Sequence, residues 1–167
     1  MDGALESVEF TGSSVLSATD FQAISANATP FMLTGNGTSA AVIDTAVGGK
    51  ILVSGGATLS VRMGASIAPT WDGTFSMANT AGDSLNFDAA GNILSDGRLA
   101  GNQTAYRLVA GGSTFERHTI TDERISGSLL GPTGASRPTG VVGSFQFLHG
   151  AAASVKGGYA ADLQPPP

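Results

Sequence analysis

Along most of this chain, apolar side chains recur at every second position. Ala57, Leu59, Val61 and Met63 fall on one side of residues 57–63, while Thr58, Ser60 and Arg62 fall on the other. Trp71, Gly73, Phe75 and Met77 alternate in the same way with Asp72, Thr74 and Ser76, and Leu85 and Phe87 with Ser84, Asn86 and Asp88. Near the end, Val155, Gly157, Tyr159, Ala161 and Leu163 share a face. Successive side chains of a strand point to opposite sides, so a two-residue period marks a strand with one buried face, and a helical period is excluded over these stretches.

Turn residues punctuate the alternation. Ala89-Ala90-Gly91-Asn92 reads as a turn into a strand over 93–100, and Gly101-Asn102 as a break before "QTAYRLVA". Gly111-Gly112 separates that strand from "STFERHTITDE", and the apolar runs "RISGSLL" and "GVVGSFQFLHG" flank a Gly-Pro-Thr-Gly turn. The spacing predicts roughly eight strands in the last 110 or so residues, arranged as a meander of hairpins. About eight strands is where a sheet closes on itself with side chains filling the interior. The expected fold is therefore all-β: an eight-stranded antiparallel up-and-down barrel, with "RISGSLL" and "GVVGSFQFLHG" as its closing hairpin. A two-sheet sandwich uses the same alternation. The 24 glycines, several inside strands, suit a small barrel in which backbones approach closely.

The first fifty-five residues are patterned differently. "SVEFTGSSVL" reads as a strand, and "SATDFQAISAN" as a short helix capped by Ser17 or Thr19. "TPFMLTGNGTSAAVIDTAVGGKILVSGG" reads as two or three strands broken at Gly35-Asn36-Gly37 and Gly48-Gly49. The expected organisation is an appended, handle-like subregion over 1–55 that packs on or extends the β core, a barrel over 56–164, and a disordered tail over 165–167. With 167 residues, the chain is long enough to bury a core without a metal or disulfide staple.

The chemistry-bearing residues are sparse. A net charge of -5, with Lys50 and Lys156 the only lysines, argues against a nucleic-acid partner. The absence of cysteine removes disulfides, thiolate metal sites and Cys nucleophiles. No apolar run reaches the ~20 residues of a membrane helix, and Met1-Asp2-Gly3 reads as a start placed before a mature fragment. Asp72, Asp83, Asp88, Asp96, Asp122 and Glu123 fall mostly at predicted strand ends and turns, where exposed carboxylates are the ordinary case. Asn27, Asn36 and Asn102 begin glycosylation-type triplets, which arise by chance in Thr-rich sequence. No nucleophile elbow and no phosphate loop occurs, so the chain reads as non-catalytic. Two histidines thirty-one positions apart do not make a zinc site. His118, between Arg117 and Thr119, reads as a surface residue, whereas His149 continues the face of Phe145 and Phe147. His149, Tyr159, Tyr106 and His118 are thus the candidate axial ligands if the barrel holds haem or another flat apolar ligand.

"ISGSLLGPTGASRPTGVVGSFQF" resembles the closing signature of the β-barrel domain of transferrin-binding protein B and its relatives. The matching residues are Gly127, Leu129-Leu130, Gly131-Pro132, Gly134-Ala135, Gly140, Val141-Val142, Gly143 and Phe145. "SVKGGYAADLQ" is similar to the family's last strand, and "SLNFDAAGNILSDGRLAG" to a recurring strand-turn-strand. Thr133 and Ser136-Arg137-Pro138 replace the family's usual turn residues, and Leu130 an aromatic. The resemblance covers roughly residues 57–164 and implies an exported, surface-associated binding module of a Gram-negative outer membrane. Many such modules are lipid-anchored and capture iron-bearing proteins or haem for a receptor, using loops and a handle, so no contact residue is carried over. The alternatives are a structural or adhesive domain of a larger surface protein and a lipocalin-like carrier with a hollow barrel.

Overall fold

The computed structural model describes residues 14–26, 29–46, 49–116 and 121–166, with backbone only at 121–123. In chain order the elements are β1 (Ser14–Val15), α1 (Ala18–Ser25), β2 (Phe31–Thr45), β3 (Gly49–Met63), β4 (Thr70–Ala78), β5 (Ser84–Ile93), β6 (Arg98–Ala110), β7 (Ser113–Glu116), β8 (Thr121–Gly131), β9 (Gly140–His149) and β10 (Ala153–Asp162). β2 to β6 form a meander, β6 pairs β8, β8 to β10 form a second meander, and β10 returns to β2. The closing ladder runs from Ala153↔Thr45 to Ala161↔Gly37, and that continuous pairing decides for a closed barrel over a sandwich. The protein is an eight-stranded antiparallel barrel, with two further short strands and one helix among the described residues.

Eight staves close the barrel, but they are not the eight that the alternation suggested. β2 and about half of β3 come from the first fifty-five residues, so the boundary drawn near residue 55 falls inside β3 and residues 31–55 extend the β core. The glycines at 35 and 37 do not break β2, because the strand passes close over the backbone of Asp162 and Ala160 there and a Cβ would collide with it. β7 and β8 run in one direction along β6, pairing its end (Ala110↔Ser113) and its start (Arg98↔Ser128) respectively. The hairpin of β8 and β9 is real but does not close the barrel; β10 does.

The predicted turn at 89–92 is also displaced. Ala89 to Asn92 stay in β5, and the chain reverses at 94–97, where Gly97 has φ of +80° and Asp96 accepts from the Arg98 amide. Gly97 meets the left-handed conformation without steric cost, which Asn92 would meet less well. β6 then runs unbroken through Gly101-Asn102, with a bulge where Asp88/Ala89 face Gln103 to Ala105. That extra residue resets the alternation, so Leu99 and Tyr106, seven apart, both point inward.

Inward positions carry the core. Phe75, Phe87, Phe145 and Phe147 stack through the interior, with Phe75–Phe87 centroids 4.5 Å apart, Phe87–Phe145 4.8 Å and Phe87–Phe147 5.6 Å. Each such ring contributes about 1.5–3 kcal/mol by leaving water. Space for the rings comes from glycines on neighbouring strands. Phe145 lies over its cross-strand partner Gly157, and Tyr159 over its partner Gly143.

α1 covers one end. The Ser17 hydroxyl caps it by accepting from the Asp20 amide at 3.1 Å, which settles Ser17 over Thr19. Phe21 and Ile24 are buried, Phe21 packs beside Gly97, and Asp20 accepts from the Gly134 amide at 3.1 Å, tying the helix to the β8–β9 loop. β1 adds Ser14↔Gly131 and Val15↔Leu130 to β8; the rest of the strand expected over 7–16 lies mostly outside the described residues. After β10, Gln164 exchanges backbone bonds of 2.8 Å with Thr34.

Candidate functional site

The barrel has a helix-covered end and an opposite end formed by the β2–β3, β4–β5, β6–β7 and β9–β10 turns. Two of the candidate ligands meet at the second end. His149, at the last position of β9, and Tyr106, on β6, stack at 6.0 Å with planes 14° apart. Phe115 of β7 meets the His149 ring edge-on at 4.8 Å, and Phe147 meets Tyr106 at 5.3 Å. Both candidates are buried, at 7% exposure each. The Tyr106 hydroxyl has no hydrogen-bond partner among the described residues. Burial pushes its pKa well up, because the phenolate would lose its hydration there.

Tyr159 lies apart from this pair, deeper in the barrel. Its ring meets Phe75 at 5.1 Å, and its hydroxyl donates to the Ser126 carbonyl at 3.1 Å, beneath Gly127 and Gly143. Burial raises its pKa as well. His118 lies outside the described residues, as do the side chains of Asp122 and Glu123. The hydroxyl of Tyr159 is thus committed to the wall, and the space between it and the Tyr106–His149 pair holds phenylalanine rings.

Two of the carboxylates, Asp83 and Asp96, serve turns. Asp83 accepts from Asn79 Nδ2 at 3.0 Å and from the Gly111 amide at 2.8 Å, joining the β4–β5 and β6–β7 turns. The bond from Asn79, then that from Gly111, holds its carboxyl below the usual range. Asp96 binds Arg98 Nε at 2.6 Å, which lowers its pKa chiefly through that hydrogen bond. Asp72 and Asp88 face outward on β4 and β5. Among the described residues no three His, Asp or Glu side chains gather as a metal site, and no helix is long and apolar enough to cross a membrane.

Two concavities lie on the outer wall of β6, β8, β9 and β10. One, of about 410 Å³, is lined by Arg98, Ala100, Ser128 and Val142; the other, of about 330 Å³, by Arg124, Gln146 and Lys156. Ser126 and Ser144 line both. Sequence reasoning passed over these residues because they are scattered along the chain. The available signal was the outward parity of two serines on glycine-rich strands, which acquires meaning only when the register sets Ser126 opposite Ser144.

No family model matches the chain, and no curated protein matches it. Among solved structures, the ywiB protein from Bacillus subtilis aligns with a TM-score of 0.39 and 8% identity, covering 80% of this chain and 93% of that one. A likeness that low carries no functional inference, and the barrel assignment rests on the strand pairing itself.

Proposed function

We propose that the chain is a non-catalytic binding module displayed on the outside of a Gram-negative cell, capturing a protein on the outer wall and loops of the barrel. The supporting observation is the interior itself. Phe75, Phe87, Phe145 and Phe147 occupy the space that a hollow carrier would leave for its ligand. Recognition then falls to the outside, which agrees with the loop-based capture implied by the resemblance to transferrin-binding protein B. Iron-bearing host proteins are the partner class that this resemblance suggests, with delivery to an outer-membrane receptor.

The reading is tested by immobilising the purified chain and passing iron-loaded transferrin and haemoglobin over it, alongside a haem titration of the wild type, His118→Ala and His149→Ala. Saturable binding of an iron protein with a flat haem titration is the expected result. A saturable Soret shift abolished in either histidine variant would move the ligand inside the barrel and overturn the outer-wall reading. Binding of neither class would leave the structural or adhesive role in its place.

A further inference from the structure

We infer that the concavity beside the β5–β6 turn is a subsite for an aromatic side chain, above all a tyrosine, presented by a protein partner. The inference deepens the proposed capture of a protein and rests on that reading for the partner, while the subsite itself is argued from the geometry of the wall.

The concavity lies where β6 leaves the turn and pairs β8. Arg98, Ser128 and Val142 stand opposite one another across β6, β8 and β9, and Ala100, Ser126 and Ser144 form the next row on the same face. Between the rows the floor is the backbone of Gly127 and Gly143, where a Cβ would point inward at Tyr159. Leu94, on the turn and 39% exposed, completes the lining. The space of about 410 Å³ falls within the range of small-ligand pockets and has room for one substituted ring.

Charge decides the class of ligand. Asp96 holds Arg98 Nε at 2.6 Å and accepts from the Arg98 amide at 3.2 Å, so the pair is neutral as a unit and an incoming anion meets a cation already answered. What Asp96 adds is placement. A guanidinium held along one edge presents a fixed plane, and that plane stacks on an aromatic face. Leu94 and Val142 supply aliphatic contacts, and the hydroxyls of Ser126, Ser128 and Ser144 can donate to or accept from a phenol. Tyrosine presents the matching set: a flat ring, apolar edges, one hydroxyl and few rotamers to lose. A leucine would leave the guanidinium and the hydroxyls unmatched, and a carboxylate would have to displace Asp96.

The surroundings favour a ring carried by a protein over a free aromatic molecule. Val15, 59% exposed, pairs with Leu130, which lies one row beyond Ser128 on the same face. Two of the four large apolar side chains that stand exposed among the described residues, Val15 and Leu94, therefore flank the concavity. A free ring would leave Val15 in water, whereas a partner surface bearing the ring would cover it. An aromatic anchor in a pocket, ringed by contacts that exclude water, is the usual centre of a protein interface.

Heteronuclear NMR of the folded protein, titrated with the amides of N-acetyl-tyrosine, N-acetyl-leucine and N-acetyl-aspartate, tests the subsite without any partner. The tyrosine amide should saturate in the millimolar range, with its largest shifts at Leu94, Ser128, Val142 and Ser144, and the other two should not. The paired substitution Leu94→Ser, Arg98→Gln, at two exposed positions, should weaken the tyrosine amide about fivefold or more. Lys50→Gln, exposed on β3, should leave it unchanged, and the spectra report retained fold directly. Leucine or aspartate amide bound as tightly as the tyrosine amide, shifts centred elsewhere, no saturation, or an affinity indifferent to the paired substitution would each overturn the subsite. Passing iron-loaded transferrin and haemoglobin over the same variants separates the two readings. Capture lost in the paired variant supports the aromatic anchor, and capture that survives it unchanged overturns the docking role. No capture by the wild type, with the tyrosine amide still bound, would count against the capture reading and leave the subsite standing.

Discussion

Gly143 and Gly158 face each other's strands across the β9–β10 ladder, one row apart, and their replacement by alanine should have opposite consequences. A Cβ on Gly143 would point inward and overlap the Tyr159 ring and the Ser126 carbonyl oxygen. The second obstacle is backbone, so rotating a side chain cannot relieve it, and β8 must move away from β9. Overpacking of this kind costs about 1–3 kcal/mol. The Tyr159–Ser126 bond would also be lost, and an unsatisfied buried hydroxyl costs a further ~1–3 kcal/mol. Gly143→Ala should therefore destabilise by about 2–6 kcal/mol, a fall in Tm on the order of 10 °C for a chain of this size. At Gly158 a Cβ points outward, and its nearest neighbour is the Gly143 carbonyl oxygen at 3.4 Å, an ordinary contact. Gly158→Ala should be neutral or stabilising by up to about 1 kcal/mol, because it restricts only the unfolded chain. Urea unfolding of the two variants, compared at unchanged m, measures both. A Gly143→Ala protein within about 1 kcal/mol of wild type, or a Gly158→Ala protein equally damaged, would refute the argument that Tyr159 needs bare backbone beneath it.

Other expectations follow from the same geometry. Phe145→Ala and Phe147→Ala should each cost about 3–5 kcal/mol in urea unfolding, because both rings are buried against other rings. Pro132→Ala and Arg137→Ala, in the exposed β8–β9 loop, should stay within about 0.5 kcal/mol of wild type. The Asp83 carboxyl should titrate below the ordinary aspartate range by NMR. Since the folded value lies below the unfolded one, its stabilising contribution is present above the unfolded pKa and lost as pH falls through the folded value, and Asp83→Asn should remove that component of acid sensitivity. Both tyrosines of the chain are buried with raised pKa values, so phenolate absorbance should appear in alkali only as the barrel unfolds, in a single cooperative step. Gradual ionisation ahead of unfolding would show that one ring is open to water.

Much of the barrel was legible because a strand's period is two and local. The inward faces of 57–63, 71–77 and 155–163 could be read from alternation, and a cap at Ser17 or Thr19 from the position of both before Phe21 and Ile24. The candidate site was legible only in part. His149 could be placed on the face of Phe145 and Phe147, but its contact with Tyr106 depends on a bulge in β6 that resets the parity between Leu99 and Tyr106. No local pattern marks an extra residue whose partner lies on another strand.

The sequence by itself determined the all-β class and the inward faces and narrowed the helix cap to Ser17 or Thr19, since each depends on a few consecutive residues. Tertiary structure decided which strands close the ring, because a ladder such as β10 on β2 joins residues more than a hundred positions apart. It also decided what the glycines do. Along the chain Gly143 and Gly157 read only as in-strand glycines suited to close approach, and the neighbouring strand supplies the particular rings that need them empty. The outer-wall row of Arg124, Gln146 and Lys156 has the same origin, for these become neighbours only when three strands are in register.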